Sequence, residues 1–222
     1  MSESITPAGF QESDGVGDWR VVGDGACAFF RTGSFADAAR LVQAIADIPG
    51  VDDRRPDVDV RHHGVTVRLV TSTEEHFGMT TRDVEIARLV SETAREVGVS
   101  SDPSAIQSIL VIPGAPNVAA IMPFWRAVLG YEPRPDSPDE DLVDPHDRGP
   151  AVWFEPMDEP RGDGGGAIHV AGWMPYEQAE QRVAAALAAG GRMVRDDFAP
   201  AWWTLADAAG NEADIATIER RD

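Results

Sequence analysis

Two alternating segments limit this chain more than any other feature: Asp57–Arg61, and the residues from 65 to 71 that follow a short polar step. Apolar and polar side chains take turns along both, the period of strands with one face covered and one open. Such strands have to pair and be roofed on one side. Two amphipathic stretches can roof them. Ser34 is placed to cap a helix to about Asp47, with Phe35, Ala38, Ala39, Val42 and Ile45 on one face. Thr80 and Asp83 have capping-box spacing and open a second helix, which carries Val84, Ala87, Val90 and Ala94 inward and stops at Gly98. Trp19–Val22 and Ala26–Arg31 read as a further strand pair, and His62-His63-Gly64 as a hairpin connection. The order strand, strand, helix, strand, strand, helix predicts an α+β unit over residues 16–99, behind a polar tail at 1–15 expected to be flexible.

Ser100-Ser101-Asp102-Pro103-Ser104 then breaks the pattern and marks a domain boundary. Over 105–222 the rhythm restarts twice, each time as a strand, a helix and further strands, which predicts a duplicated module. The first helix is expected at Val118–Leu129 and the second at 176–189. The acidic stretch from Pro133 to Asp147 reads as a loop, solvated or acting as a lid.

Composition removes several functions. The net charge is −19, and all nineteen basic residues are arginine. Such a surface repels nucleic acid and anionic membranes. No run of eighteen apolar residues could span a bilayer, and the first residues lack the basic head and apolar body of a secretory signal. A single cysteine, Cys27, forms no internal disulfide and fits a reducing cytoplasm.

The run Arg54-Arg55-Pro56-Asp57-Val58-Asp59-Val60, with Gly78-Met79-Thr80-Thr81 and Asp83 beyond it, resembles the core of pterin-4a-carbinolamine dehydratases over roughly residues 18–97. The resemblance implies a pterin-like ligand and histidines acting as acid and base. A His-His pair would stand before Pro56 and a third His after Thr71. This chain has Arg54, Arg55 and Ser72 there, and His76 could return one ring from the following loop. A guanidinium stays charged and cannot serve as a general base. Arg54 and Arg55 can instead pair with an anion, or sit as solvated charges beside Asp52, Asp53 and Asp57. Asp57 is a candidate ligand contact. His62-His63 lies seven or eight residues too late for the pocket and reads as a turn pair.

The second half, with Phe124-Trp125-Arg126-Ala127-Val128-Leu129-Gly130 and Ala206-Asp207 leading to Gly210-Asn211-Glu212, resembles the vicinal oxygen chelate superfamily of glyoxalase and bleomycin-resistance proteins. In that family ligands from strand ends hold a divalent metal. The matching residues here are Gln107, Glu155, His169 and Asp214, and each also has an ordinary structural reading. Trp153 and Trp203 are expected to line a cup for a flat or apolar ligand. Three classes of function follow: a lyase acting on a pterin carbinolamine, a non-catalytic small-molecule binder, and a metal-dependent enzyme of the glyoxalase or dioxygenase type. Both resembled families imply a homodimer.

Overall fold

The computed structural model describes residues 3–23, 25–53, 55–73, 76–157, 168–206 and 212–220. It divides into two compact units, meeting in sequence between Ile106 and Gln107.

In the first unit, β1 (Ser4–Ile5) and α1 (Pro7–Gln11) precede β2 (Trp19–Val22), β3 (Gly25–Arg31) and α2 (Phe35–Ala46). β4 (Asp57–Arg61), β5 (Gly64–Leu69), β6 (Thr71–Ser72), β7 (Phe77–Thr80), α3 (Thr81–Glu96) and β8 (Ser100–Ser101) follow. The main sheet has the antiparallel order β2-β3-β5-β4, with β8 added to the end of β3. Its register sets Val21, Ala26 and Leu69 in one row and Trp19, Ala28, Val67 and Val58 in the next. This is the buried face, matched by Ala38, Leu41 and Ile45 of α2 and Val84, Ala87, Val90 and Ala94 of α3. The opposite face carries Arg20, Cys27, Arg68 and Asp57. Trp19 is fully buried and donates its indole N–H to the Ala87 carbonyl at 3.0 Å and to Ser91 Oγ at 3.0 Å, tying β2 to α3.

Two expectations shift. The inward stripe of α2 runs through Ala38, Leu41 and Ile45, while Phe35 is 70% exposed and Ala39, one position round from Ala38, faces solvent. The polar start of the chain is also ordered. Thr6 caps α1 by accepting the Gly9 N–H, Phe10 is fully buried, and β1 pairs with β7 in a second sheet of order β1-β7-β6. One buried aromatic and an open strand edge outweigh the polar composition of that segment.

The second unit contains β9 (Ser108–Ala115), α4 (Val118–Leu129), β10 (Glu132–Arg134), β11 (Ser137–Val143), β12 (Val152–Trp153) and β13 (Glu155–Pro156). The cycle repeats as β14 (Ile168–Trp173), α5 (Tyr176–Ala188), β15 (Arg192–Arg195), β16 (Trp202–Ala206) and β17 (Glu212–Ala216). The sheet order is β10-β11-β12-β9-β14-β17-β16-β15, with β13 also on β9. In each cycle the last strands return parallel to the first, and the two first strands join antiparallel at the centre. The restarted rhythm predicts the duplication, and the paired βαβββ form is the one that the glyoxalase-like resemblance implies. Gly130 ends α4 at φ 69°, the left-handed turn that glycine adopts most readily. The acidic stretch after Pro133 is a hairpin of β10 and β11, not a loop. Arg134 bonds Asp136 and Asp141, which leaves Asp141 only 5% exposed. Neutralised by a neighbouring guanidinium, an acidic strand can pair like any other.

Candidate functional site

The first candidate site gathers at the start of β4 and the turn between β6 and β7. Arg54 lies outside the described residues. Arg55 has φ 45° and donates its backbone N–H to the Val51 carbonyl at 3.1 Å. A left-handed conformation costs a residue with a Cβ about 1–2 kcal/mol. Pro56 then leads into β4, where Asp57 is opposite Arg68 and accepts from its Nε at 2.8 Å and its Nη2 at 2.7 Å. That cross-strand ion pair accounts for the Asp57 carboxylate, so the side chain is a sheet-face partner of Arg68 more than a free ligand contact. His62 and His63 are exposed on the β4–β5 hairpin with their rings edge to face, 4.9 Å apart. Five residues of strand, ~17 Å at the usual rise, separate that turn from Arg55.

His76 is half-buried just ahead of β7. Its Nε2 is buried with no hydrogen-bond partner among the described residues, and its carbonyl accepts the Thr73 N–H at 2.7 Å. The ring lies beside Gly78, whose φ of 145° is one that glycine adopts most readily. The turn is anchored through Asp83. This carboxylate, in a residue 1% exposed, accepts from Thr80 N–H at 2.7 Å, Thr80 Oγ1 at 2.8 Å and Thr71 Oγ1 at 3.1 Å. The capping box at the start of α3 thus also holds β6 and β7 together.

The second candidate site is on the sheet face of unit two turned away from its helices. Val111, Val152 and Leu142 pack with α4 residues, and Trp203, Leu205 and Ile215 with those of α5. Pleating sends their strand neighbours to the other face. There the register builds rows across the central strands. Ile112 stands beside His169, and Leu110 beside Ala171, Asp214 and Thr204. Trp153, next to Val152 on β12, shares this face, and Glu155 is on it opposite Gly114.

His169 Nε2 is 3.3 Å from Asp214 Oδ2, and Thr204 Oγ1 donates to Asp214 Oδ1 at 2.7 Å. The hydrogen bond to Asp214 raises the His169 pKa above the ordinary imidazole value, against a lowering by burial. The charges of Asp214, Glu155 and Glu212 add to the rise. Of the four expected ligands, the structure brings His169 and Asp214 into contact. Glu155 reaches them only as a distant charge. Gln107 is five residues before Ile112, ~17 Å along the strand, and its Oε1 accepts from Arg182 at 3.2 Å. Among the described residues no three His, Cys, Asp or Glu side chains converge as a metal cluster. Trp203 is 9% exposed inside the α5 core, on the face opposite His169. Trp202 takes the open face instead, stacked on Phe198 at 4.2 Å. An expectation for Trp203 in the cup is therefore one residue out of register, and a slip of one flips every side chain across the sheet. Thr204 was legible by the same alternation but has no motif to announce it. A separate open cleft of about 590 Å³ lies at the end of α4, lined by Met122, Pro123, Arg126, Tyr131, Pro133 and Pro138, and touches none of the candidate residues.

Comparison with known proteins finds a separate family for each half of the chain. A family model described as "Pterin 4 alpha carbinolamine dehydratase" matches residues 5–93. A Nocardia farcinica protein named "Putative pterin-4-alpha-carbinolamine dehydratase" is 36% identical over 78 residues, covering 35% of this chain and 80% of the relative. The chain belongs to the pterin-4-alpha-carbinolamine dehydratase family. To that dehydratase-type unit it joins a second domain, since a model described as "Glyoxalase-like domain" matches residues 108–216. A glyoxalase/bleomycin resistance protein/dioxygenase superfamily member from Vibrio splendidus 12B01 is 18% identical. It covers 50% of this chain and 99% of its own at a TM-score of 0.32, a likeness too distant to bear on chemistry. Among the described residues no helix is long and apolar enough to cross a membrane.

Proposed function

We propose that this dehydratase-family chain is a small-molecule binder whose first site has lost the proton carriers of the parent reaction. One observation carries the reading. The imidazoles of the dehydratase-type unit do not gather: His62 and His63 are exposed on a hairpin at the far end of β4, which leaves His76 by itself near the β6–β7 turn. At the positions before Pro56 the chain offers Arg54 and Arg55. Guanidiniums can hold an anionic group of a ligand but cannot shuttle its protons. General acid–base catalysis is worth about 10²–10⁴ in rate, and a lone His76 supplies a small part of it. The glyoxalase-like cup, with Trp153 beside His169 and Asp214, is the second place for a ligand. The protein works as a homodimer in the cytoplasm.

The test is dehydration of a pterin 4a-carbinolamine, followed by absorbance against an active member of the family. The wild-type chain is expected to stay near the uncatalysed rate, and R54H/R55H/S72H to gain about 10²-fold or more. Wild-type turnover at the rate of the active relative would overturn the reading and favour a working lyase that uses His76. Light scattering after size exclusion checks the dimer, and a monomer at micromolar concentration would remove that part.

A further inference from the structure

We infer that the cup of the glyoxalase-like domain works without a metal, with Thr204 locking Asp214 so that Asp214 orients His169 toward the ligand. The inference rests on the reading of this cup as a small-molecule site. A divalent ion needs three or four oxygen, nitrogen or sulfur donors converging on one point, usually drawn from several strands. Among the described residues no three such side chains converge, although Glu155 and Glu212 add their charge at a distance. Beside His169 and Asp214 on their own face, β9 presents Ile112 and Leu110, so the side from which the first module would add a donor is hydrocarbon. The residue expected there, Gln107, is at the other end of β9 and bound to Arg182 on α5. Glu155 pairs opposite Gly114, with β9 between it and β14. Two strand spacings and two residues of rise set its Cα ~12 Å from that of His169.

What the strands do supply is a hydrogen bond and an ion-pair contact that share one carboxylate across adjacent strands. Thr204 and Asp214 are directly opposed on β16 and β17, and the hydroxyl proton goes to Oδ1. Asp214 Oδ2 then faces His169 Nε2, one row away on β14. Both carboxylate oxygens are engaged, so the imidazole is held in one orientation and one tautomer, with Nδ1 left for a ligand. The groups surrounding His169 are acidic or apolar: Asp214, Glu155 and Glu212 set the field, with Ile112 and Ala171 alongside. Thr204 is a positioning residue in this scheme; it need touch no ligand.

The full-length chain, stripped with chelator, is titrated calorimetrically with Ni²⁺, Zn²⁺ and Mn²⁺, using H62A/H63A as the background so that the exposed histidine pair does not contribute. No 1:1 binding tighter than about 100 µM, or about −5.5 kcal/mol, is expected. In parallel, ¹⁵N spectra of the imidazoles report the tautomer of His169 at a pH where it is neutral. The wild type should show protonated Nε2, T204V a mixed population, and D214N loss of the bias. One equivalent of metal bound tightly in H62A/H63A and lost on adding H169A would overturn the inference. So would a wild-type tautomer mixture matching that of D214N. Neither outcome depends on dehydratase turnover, so a metal-loaded cup would leave the reading of the first unit standing.

Discussion

Replacing Asp83 should damage the first unit more than any exposed acid could, and by an amount that can be worked from its bonds. The carboxylate takes three donors at 2.7, 2.8 and 3.1 Å in a residue 1% exposed. A hydrogen bond to a charged acceptor is worth about 1.5–3 kcal/mol, and a buried donor left unmet costs about 1–3 kcal/mol. The three share one oxygen and are not additive, so D83A should lose about 3–5 kcal/mol. D83N keeps an acceptor but loses the charge and should lose about half as much. T71V removes the longest of the three bonds and should cost about 1 kcal/mol. In urea, with m of about 1–2 kcal/mol/M, D83A moves the unit's midpoint by about 1.5–5 M. The two units can unfold in separate steps, so circular dichroism should be paired with hydrogen exchange on peptides covering residues 71–96. Faster exchange there in D83A, with peptides of residues 168–216 unchanged, is the expected pattern. A loss below about 1 kcal/mol, or equal losses in D83A and T71V, would refute the view that Asp83 joins helix cap and β6.

Two further outcomes concern the second unit. The His169 pKa is raised in the fold by Asp214, so its contribution to stability is fully present below the unfolded value near 6.5 and fades as pH rises through the folded one. D214N should flatten that dependence, which chemical denaturation of wild type and variant across pH 5–9 would reveal; identical profiles would contradict it. W203A empties the core beneath α5 and should cost about 3–5 kcal/mol, whereas W153A, on the open face, should cost clearly less when both are unfolded in urea. Equal losses would mean that the face assignment of the two tryptophans is wrong.

Both domains were legible because their signals are local. The alternation of β4 and β5, the Thr80–Asp83 box and the Gly130 stop each depend on neighbours within a few residues. Site geometry depends on register between strands far apart in the chain, and there the reading slipped. Trp202 and Trp203 differ by one position, yet one faces the cup and the other α5. Gln107 has a suitable donor, but only the pairing of β9 with β14 reveals that Ile112 occupies the place beside His169. Nothing about Thr204 in isolation distinguishes it from any strand threonine until Asp214 is set opposite. The ordered start of the chain is illegible for a similar reason, since the partner of Ser4–Ile5 is Met79–Thr80.

That last pairing has a bearing on how the protein is made. A ribosome releases Ser4 and Ile5 some seventy-five residues before the strand that accepts them, at roughly 5–20 residues per second. For several seconds β1 has no strand to pair with, and the nascent segment is a natural client for whatever shelters unpaired chains at the exit tunnel. The front of the molecule waits on β7 before its own small sheet can close.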